Sequence, residues 1–305
     1  MEISIPQEHD GVLLRSYLTQ KLRLSSKMIK HIKFLPNGIT VNGSPCTVRY
    51  RLQAGDRLSL ALEDTESASI QAVDLPIEIL YEDADLVVPS KPADMPTHPS
   101  CDHHDDTVAN ALAFRYAESG HPFVFRPINR LDRNTSGLLL IARNRPAAAT
   151  LTKSMQSGEI KKNYLAVLDG EMPLGEGRID ACLHRTAESI ILREVCSPDA
   201  PDALPSLTKY RVLAAENGHS LLLASPITGR THQLRVHFAS IGHPITGDDL
   251  YGTPSPEIGR HALHARTLSF PHPKTQERMI FSAPLPPDMR RLIESNFPLA
   301  CQEID

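Results

Sequence analysis

The chain has 305 residues, enough for a large domain joined to a small one. Hydrophobic residues at 41% and charged residues at 22% fit an ordinary globular protein, and the longest apolar runs are far too short to span a bilayer. Five scattered cysteines without a Cys-x-x-Cys pair argue against a disulfide framework or zinc ribbon, and residues 1–30 lack the apolar core of a secretory signal, so a cytoplasmic protein is expected. The net charge of -4 argues against a nucleic-acid partner only until its distribution is read.

Residues 11–62 hold nine basic side chains (Arg15, Lys21, Arg23, Lys27, Lys30, Lys33, Arg49, Arg51 and Arg57) against one acid, Asp56. Such segregation suggests a basic binding module on an acidic body. Leu13, Leu14, Tyr17, Leu18 and Leu22 share one face of a helix expected over 12–22. Ser25 or Ser26 can cap a second helix that runs to about Lys33, with Lys27, Lys30 and His31 on its outer side for a phosphate backbone. Pro36-Asn37-Gly38 is a turn, residues 39–43 a strand, and residues 57–62 an alternating strand after Gly55-Asp56. On charge alone this could be a solvated basic face. The order of elements, with Leu24-Ser25-Ser26-Lys27, Gly38-Ile39-x-Val41-Asn42-Gly43 and Gly55-Asp56, resembles the small RNA-binding domain named after a small-subunit ribosomal protein. That resemblance implies a small α/β RNA-binding domain over 1–66.

A small, acidic stretch at 63–68 reads as a linker, and a second domain is expected over 75–298. It opens with an alternating strand at 77–81 and a buried strand at 86–88 stopped by Pro89. Residues 93–106, rich in Pro, His, Asp and Ser, read as an exposed loop, and 107–117 as a helix. Thereafter strand-like and helix-like runs mix without regular alternation. The fold class expected is α+β, with a mixed, largely antiparallel sheet.

Asp132 stands between Arg130 and Arg133, before the turn Asn134-Thr135-Ser136-Gly137 and the apolar run 138–142. Flanking guanidinium groups keep such a carboxylate ionised, and so able to act as nucleophile or base. An Asp in an arginine-rich turn is nevertheless more often a cap paired with surface arginines. A hydrolase acting on a glycosidic bond would need a second matched carboxylate, whereas arginines suit a polyanionic substrate. A binding protein without catalysis is the other alternative.

The run Asn129-Arg130-Leu131-Asp132 followed by Thr135-Ser136-Gly137 closely resembles the catalytic motif of RluA-type pseudouridine synthases. Further matches follow in the same order: Lys91-Pro92, Lys162-Asn163-Tyr164-Leu165-Ala166, Gly229-Arg230-Thr231-His232-Gln233-Leu234-Arg235, Gly247-Asp248 and Leu263-His264-Ala265. The resemblance spans about residues 75–286 and implies isomerisation of uridine to pseudouridine in structured RNA, ribosomal or transfer. In these roles Asp132 starts cleavage of the glycosidic bond, Tyr164 stacks on the uracil with its oxygen near the reacting carbon, and Arg230 pairs with Asp132. Arg130 is implied to fill the gap left by the flipped nucleotide, with Lys162, His232 and Arg235 among the residues that meet RNA. An isomerisation needs no cofactor, and the His232/His237 and His103/His104 spacings fit no metal site, so neither metal nor cofactor is expected. A monomer is the expected state. Asn129 departs from the customary His and puts the pocket around the carboxylate in question.

Overall fold

The computed structural model describes residues 2–22, 24, 26–35, 37–61, 70–100, 103–117 and 123–300. The expected linker at 63–68, with Arg23 and Ser25, lies outside the described residues, as does the side chain of Lys27.

The N-terminal part holds β1 (Glu2–Ser4), α1 (Leu14–Ser16), α2 (Ser26–Lys33), β2 (Ile39–Val41), β3 (Ser44–Pro45) and β4 (Arg57–Leu60). Its four strands form an antiparallel sheet in the order β1-β4-β2-β3. The helix expected over 12–22 starts later, at Leu14, and widens into a π-helical stretch at Tyr17–Lys21. A separate core seats Leu14, Tyr17, Leu18, Ile29, Ile32, Leu58 and Leu60 beneath this sheet. Asp56, the sole acid of the basic segment, is buried. Burial alone would raise its carboxyl, but hydrogen bonds from the Gln53 N–H, Asn42 and Tyr50 outweigh it and hold the group below the ordinary carboxylate range. Arg15, Lys30, Lys33, Arg49, Arg51 and Arg57 are exposed. The acid serves the interior and the bases remain outside.

The larger part contains β5 (Glu78–Glu82), β6 (Leu86–Lys91), α3 (Val108–Arg115), β7 (Arg126–Pro127), β8 (Ser136–Leu138), β9 (Ile141–Ala142), α4 (Arg145–Gln156) and β10 (Lys161–Asp169). It continues with β11 (Gly175–Asp180), β12 (Cys182–Arg185), β13 (Arg193–Cys196), β14 (Leu207–Glu216), β15 (His219–Pro226), α5 (Gln233–Ser240), β16 (Leu263–Pro271), β17 (Arg278–Ser282) and α6 (Pro287–Asn296). Eleven strands join one sheet along the path β11-β14-β15-β10-β16-β8-β6-β9-β7, with β17 on β16 and β5 on β6. The β8–β16 contact is parallel and the other paired strands are antiparallel, so the mixed, largely antiparallel α+β architecture is as expected.

Period-two alternation divides this sheet between two cores. Val87, Leu139, Ile141, Leu263 and Ala265 face the core that takes α3, α5 and α6. Leu86, Val88, Leu138, Leu140, Leu268 and Phe270 face a second core closed by Ala147 and Leu151 of α4. Both helices start on capping side chains, Thr107 for α3 and Asn144 for α4.

Two expectations are corrected here. Pro89 does not stop its strand: β6 runs to Lys91, because the missing N–H falls opposite Leu139, in the break between β8 and β9, where the Pro89 carbonyl still accepts from the Leu139 N–H at 3.0 Å. The stretch 93–106 is not wholly exposed, since Met95, Pro96 and Thr97 are buried against the turn that carries Asp132.

Gly137 lets β8 approach β16. Its φ is +110°, and a Cβ there would stand 2.3 Å from the Ala265 carbonyl oxygen. Gly137→Ala should therefore lower stability by about 2 kcal/mol or more, read as a shifted midpoint in urea denaturation.

Candidate active site

Asp132 lies on the turn between β7 and β8, and backbone bonds to that turn arrive from several sides. Thr97 Oγ1 donates to the Leu131 carbonyl at 2.9 Å and accepts from the Leu131 N–H at 3.2 Å. The Thr135 N–H closes the turn on the Asp132 carbonyl. Arg260, buried and paired with Asp288, donates to the Asn134 carbonyl at 3.0 Å. Lys91, only 1% exposed, donates at 2.8 Å to each of the carbonyls of Pro92, Met95 and Arg133. Burial, then the charge of Arg260, pull its ammonium down to about 7, while Asp132 and Asp94 act to raise it. Three carbonyl acceptors match the three donors of an ammonium, and the turn is thereby fixed on a rigid strand.

Asn129 answers the question its presence raised. Its Oδ1 accepts from the Leu140 N–H at 2.8 Å and its Nδ2 donates to the Leu138 carbonyl at 3.3 Å. It is spent on the strand after the turn and is not among the residues that line the cavity.

Asp132 opens onto a cavity of about 420 Å³ lined by Arg133, Asn134, Ile191, His232, Arg235, Asp249, Leu250 and His261. Arg235, on the first turn of α5, is 4% exposed, and its Nη1 stands 3.7 Å from Asp132 Oδ2. The same guanidinium makes a two-pronged pair with fully buried Asp248, Nε to Oδ2 at 2.7 Å and Nη2 to Oδ1 at 2.6 Å. The arginine is thus oriented by Asp248 and presents one edge to Asp132.

The pairing expected of Arg230 is corrected. Arg230 is exposed, and its Nε donates to the Pro205 carbonyl at 3.2 Å. It precedes the left-handed turn at His232 (φ 57°), which reverses the chain before α5 points Arg235 inward. Gln233 holds this turn, accepting from Thr228 Oγ1 and the Arg230 N–H and donating to the Leu207 carbonyl and Thr208.

Tyr164 is buried in β10, opposite Ala224 of β15 and Ala265 of β16. Burial, then the nearby charge of Asp132, push its phenol up, so the hydroxyl stays un-ionised at neutral pH. Burial lowers Lys162, whose Nζ lies beside the turn at Gly229. Arg130 is exposed on the residue before buried Leu131. His261 bonds Thr135 through Nε2 at 2.8 Å, and burial, then Arg235, drop it to about 3, which makes it a neutral wall of the cavity. Nothing in the sequence marked His261 or Thr135 as partners. Lys91 and Asp248 stood within quoted motifs, but their work is visible only in three dimensions.

Asp83, Asp85 and His272 could gather around a cation by position alone. Asp83 instead accepts from the N–H groups of Asp85 and Leu86, from Tyr81 and from His272 Nε2. The cluster is a hydrogen-bonded turn between β5 and β6.

The RNA pseudouridylate synthase family profile matches residues 85–240, which include Asp132, Tyr164, Arg230 and Arg235. The chain belongs to this family. The Bacillus subtilis (strain 168) protein named uncharacterized RNA pseudouridine synthase YjbO is 39% identical over 275 residues, 90% of this chain and 96% of that protein. Ribosomal large subunit pseudouridine synthase D of Escherichia coli (strain K12) is 35% identical over 275 residues, 85% of this chain and 83% of the other. The structure named Human RNA Pseudouridylate Synthase Domain Containing 1 superposes with a TM-score of 0.58 at 30% identity, over 74% of this chain and 89% of that one. As an RNA pseudouridine synthase the protein converts uridine in RNA to pseudouridine. No helix among the described residues is long and apolar enough to cross a membrane.

The Arg235–Asp248 pair supplies a prediction of sign. Arg235→Ala leaves a fully buried carboxylate without its partner, at a cost of about 3–5 kcal/mol at neutral pH. In the native protein burial raises Asp248, but Arg235 outweighs it and holds the group below its ordinary range. Its stabilisation is therefore present above the ordinary Asp pKa and lost as pH falls through the folded value. Without Arg235 the folded value lies above the ordinary one, so the defect should shrink as pH falls toward about 4. Urea denaturation of both proteins at neutral and acid pH reads this directly.

Proposed function

We propose that the protein isomerises uridine in ribosomal or transfer RNA, with Asp132 opening the glycosidic bond of a nucleotide flipped into the cavity. The observation that carries this reading is the setting of Asp132. Its partner Arg235 is already matched by Asp248 and stands 3.7 Å away. The carboxylate is therefore aimed along that guanidinium without being consumed in a tight pair.

Tyr164 contributes a ring face to the uracil and an un-ionised hydroxyl near the carbon that re-forms the bond. Arg235 takes the pairing role first given to Arg230, and Arg230 joins Lys162 and His232 on the RNA path at the cavity rim. Exposed Arg130 replaces the lost stack when the nucleotide leaves the helix, a step that costs a few kcal/mol. The reaction redistributes bonds within one nucleotide, so neither cofactor nor metal has a step to serve. Residues 75–298 form the catalytic domain.

Residues 1–66 are the RNA anchor. The order of helices and strands in the described part, the burial of Asp56 and the exposure of Lys30 and Lys33 support this reading. Ribosomal RNA is the favoured target, after the name of the Escherichia coli relative. The protein acts as a cytoplasmic monomer.

Asp132→Asn should abolish pseudouridine formation on bulk ribosomal and transfer RNA while RNA affinity and melting temperature stay near wild type. Residual activity within tenfold of wild type would remove Asp132 from the reaction. Deleting residues 1–66 should weaken RNA binding and reduce the slope of log K against log salt, since each lost phosphate contact lowers that slope by roughly one. An unchanged slope would assign the anchor elsewhere.

A further inference from the structure

Tyr251 touches three parts of the site at once. Its hydroxyl lies 2.7 Å from His232 Nδ1 and 3.0 Å from the backbone nitrogen of Arg193. The Arg235 guanidinium stands over its ring, 5.1 Å from the centroid. Arg193 belongs to the β12–β13 hairpin, and its own side chain donates to the carbonyls of Ile190, Ile191 and Leu192, which braces the tip that lends Ile191 to the cavity wall.

One arrangement of protons gives every donor in these contacts an acceptor. The Arg193 N–H can only donate, so the Tyr251 oxygen accepts it. The hydroxyl proton then has His232 Nδ1 as its acceptor among the described contacts. A neutral imidazole that accepts at Nδ1 carries its proton at Nε2. Nε2 has no hydrogen-bond partner among the described residues, and His232 lines the cavity with Asp132. The residue also holds a left-handed backbone (φ 57°), a conformation that costs a non-glycine residue about 1 kcal/mol or more and clusters at functional sites.

We propose that Tyr251 is a positioning residue that locks His232 as the Nε2–H tautomer, so that a neutral hydrogen-bond donor faces an oxygen of the target nucleotide beside Asp132. The β12–β13 hairpin takes part through the Arg193 amide, and its placement is thereby tied to the polarity of the cavity. This rests on the assignment of the cavity as the nucleotide site. The groups around His232 agree with a neutral ring. Burial lowers its pKa most; Arg235 and Arg193 lower it further, Asp132 and Asp248 oppose them, and His261 is itself neutral. The hydrogen bond from Tyr251 also favours the neutral form, so its removal should raise the pKa of His232.

The test joins a spectroscopic and a kinetic readout on the full-length protein. With nitrogen-15 histidine labelling, and His232→Gln to assign the resonance, His232 should show an unprotonated Nδ1 and a protonated Nε2 at neutral pH. In Tyr251→Phe, which keeps the ring against Arg235, the two nitrogens should move toward tautomer averaging. On a large-subunit ribosomal RNA transcript, the acid limb of kcat/KM should rise by roughly one pH unit in this variant, the worth of one hydrogen bond to the neutral ring. Its kcat should fall about tenfold, with KM changed less. His232→Gln, which offers a fixed N–H donor, should recover activity over His232→Leu and should lack the acid limb due to His232. A wild-type resonance with the proton on Nδ1 would overturn the proposal, as would Tyr251→Phe with unaltered nitrogen shifts and acid limb. A correct tautomer in a protein inactive on RNA would instead fault the assignment of the cavity, and so the two failures remain distinct.

Discussion

The guanidinium of Arg235 sits between two carboxylates of unequal freedom, and the cavity at Asp132 is arranged around that inequality. Asp248 is fully buried and meets the arginine through two short bonds, while Asp132 is partly open and meets it at 3.7 Å. A buried ion pair of this kind stabilises little when compared with apolar packing. Its value here is directional: Asp248 fixes the plane of the arginine, and the remaining edge is turned to Asp132. Tyr251 closes the other face of the same guanidinium. Tyr164 keeps its proton because it is buried and feels the Asp132 charge.

The turn that carries Asp132 contributes no apolar core of its own beyond Leu131, so its shape depends on hydrogen bonds from elsewhere. Lys91, Thr97 and Arg260 reach it from segments distant in sequence. Each caps a backbone carbonyl and leaves the Asp132 carboxylate free. The split of roles is economical: strands supply rigidity, buried donors supply the local fold, and the carboxylate is left facing the cavity.

Much of this was legible in the sequence where a residue's surroundings are local. The basic segment, the α+β class and the run around Asp132 followed from charge order, periodicity and motif. What failed to be legible were the places where a side chain's direction depends on a backbone reversal. Arg230 and Arg235 stand five apart in a run rich in polar residues, and the start of α5 at the left-handed His232 leaves the first before the helix and the second on its buried first turn. Pro89 read as a terminator because a proline lacks a ladder donor, and no residue of β6 records that this position falls opposite the break between β8 and β9. Asn129 looked like a change to the pocket, yet its amide pairs with backbone groups at 138 and 140. His261 and Thr135 are 126 positions apart and carry no mutual signal in the chain.

The alternation of β6 constrains its length. Leu86 and Val88 feed one core, Val87 the other, and Lys91 extends from the same short strand to the turn that carries Asp132. Deletion of a single residue between 86 and 91 would put the residues before it and those after it out of step, so that the two cores and the lysine's turn could no longer all be served. A change of length in this strand therefore disturbs a core or the turn, whereas a substitution of like size leaves every residue on its own face.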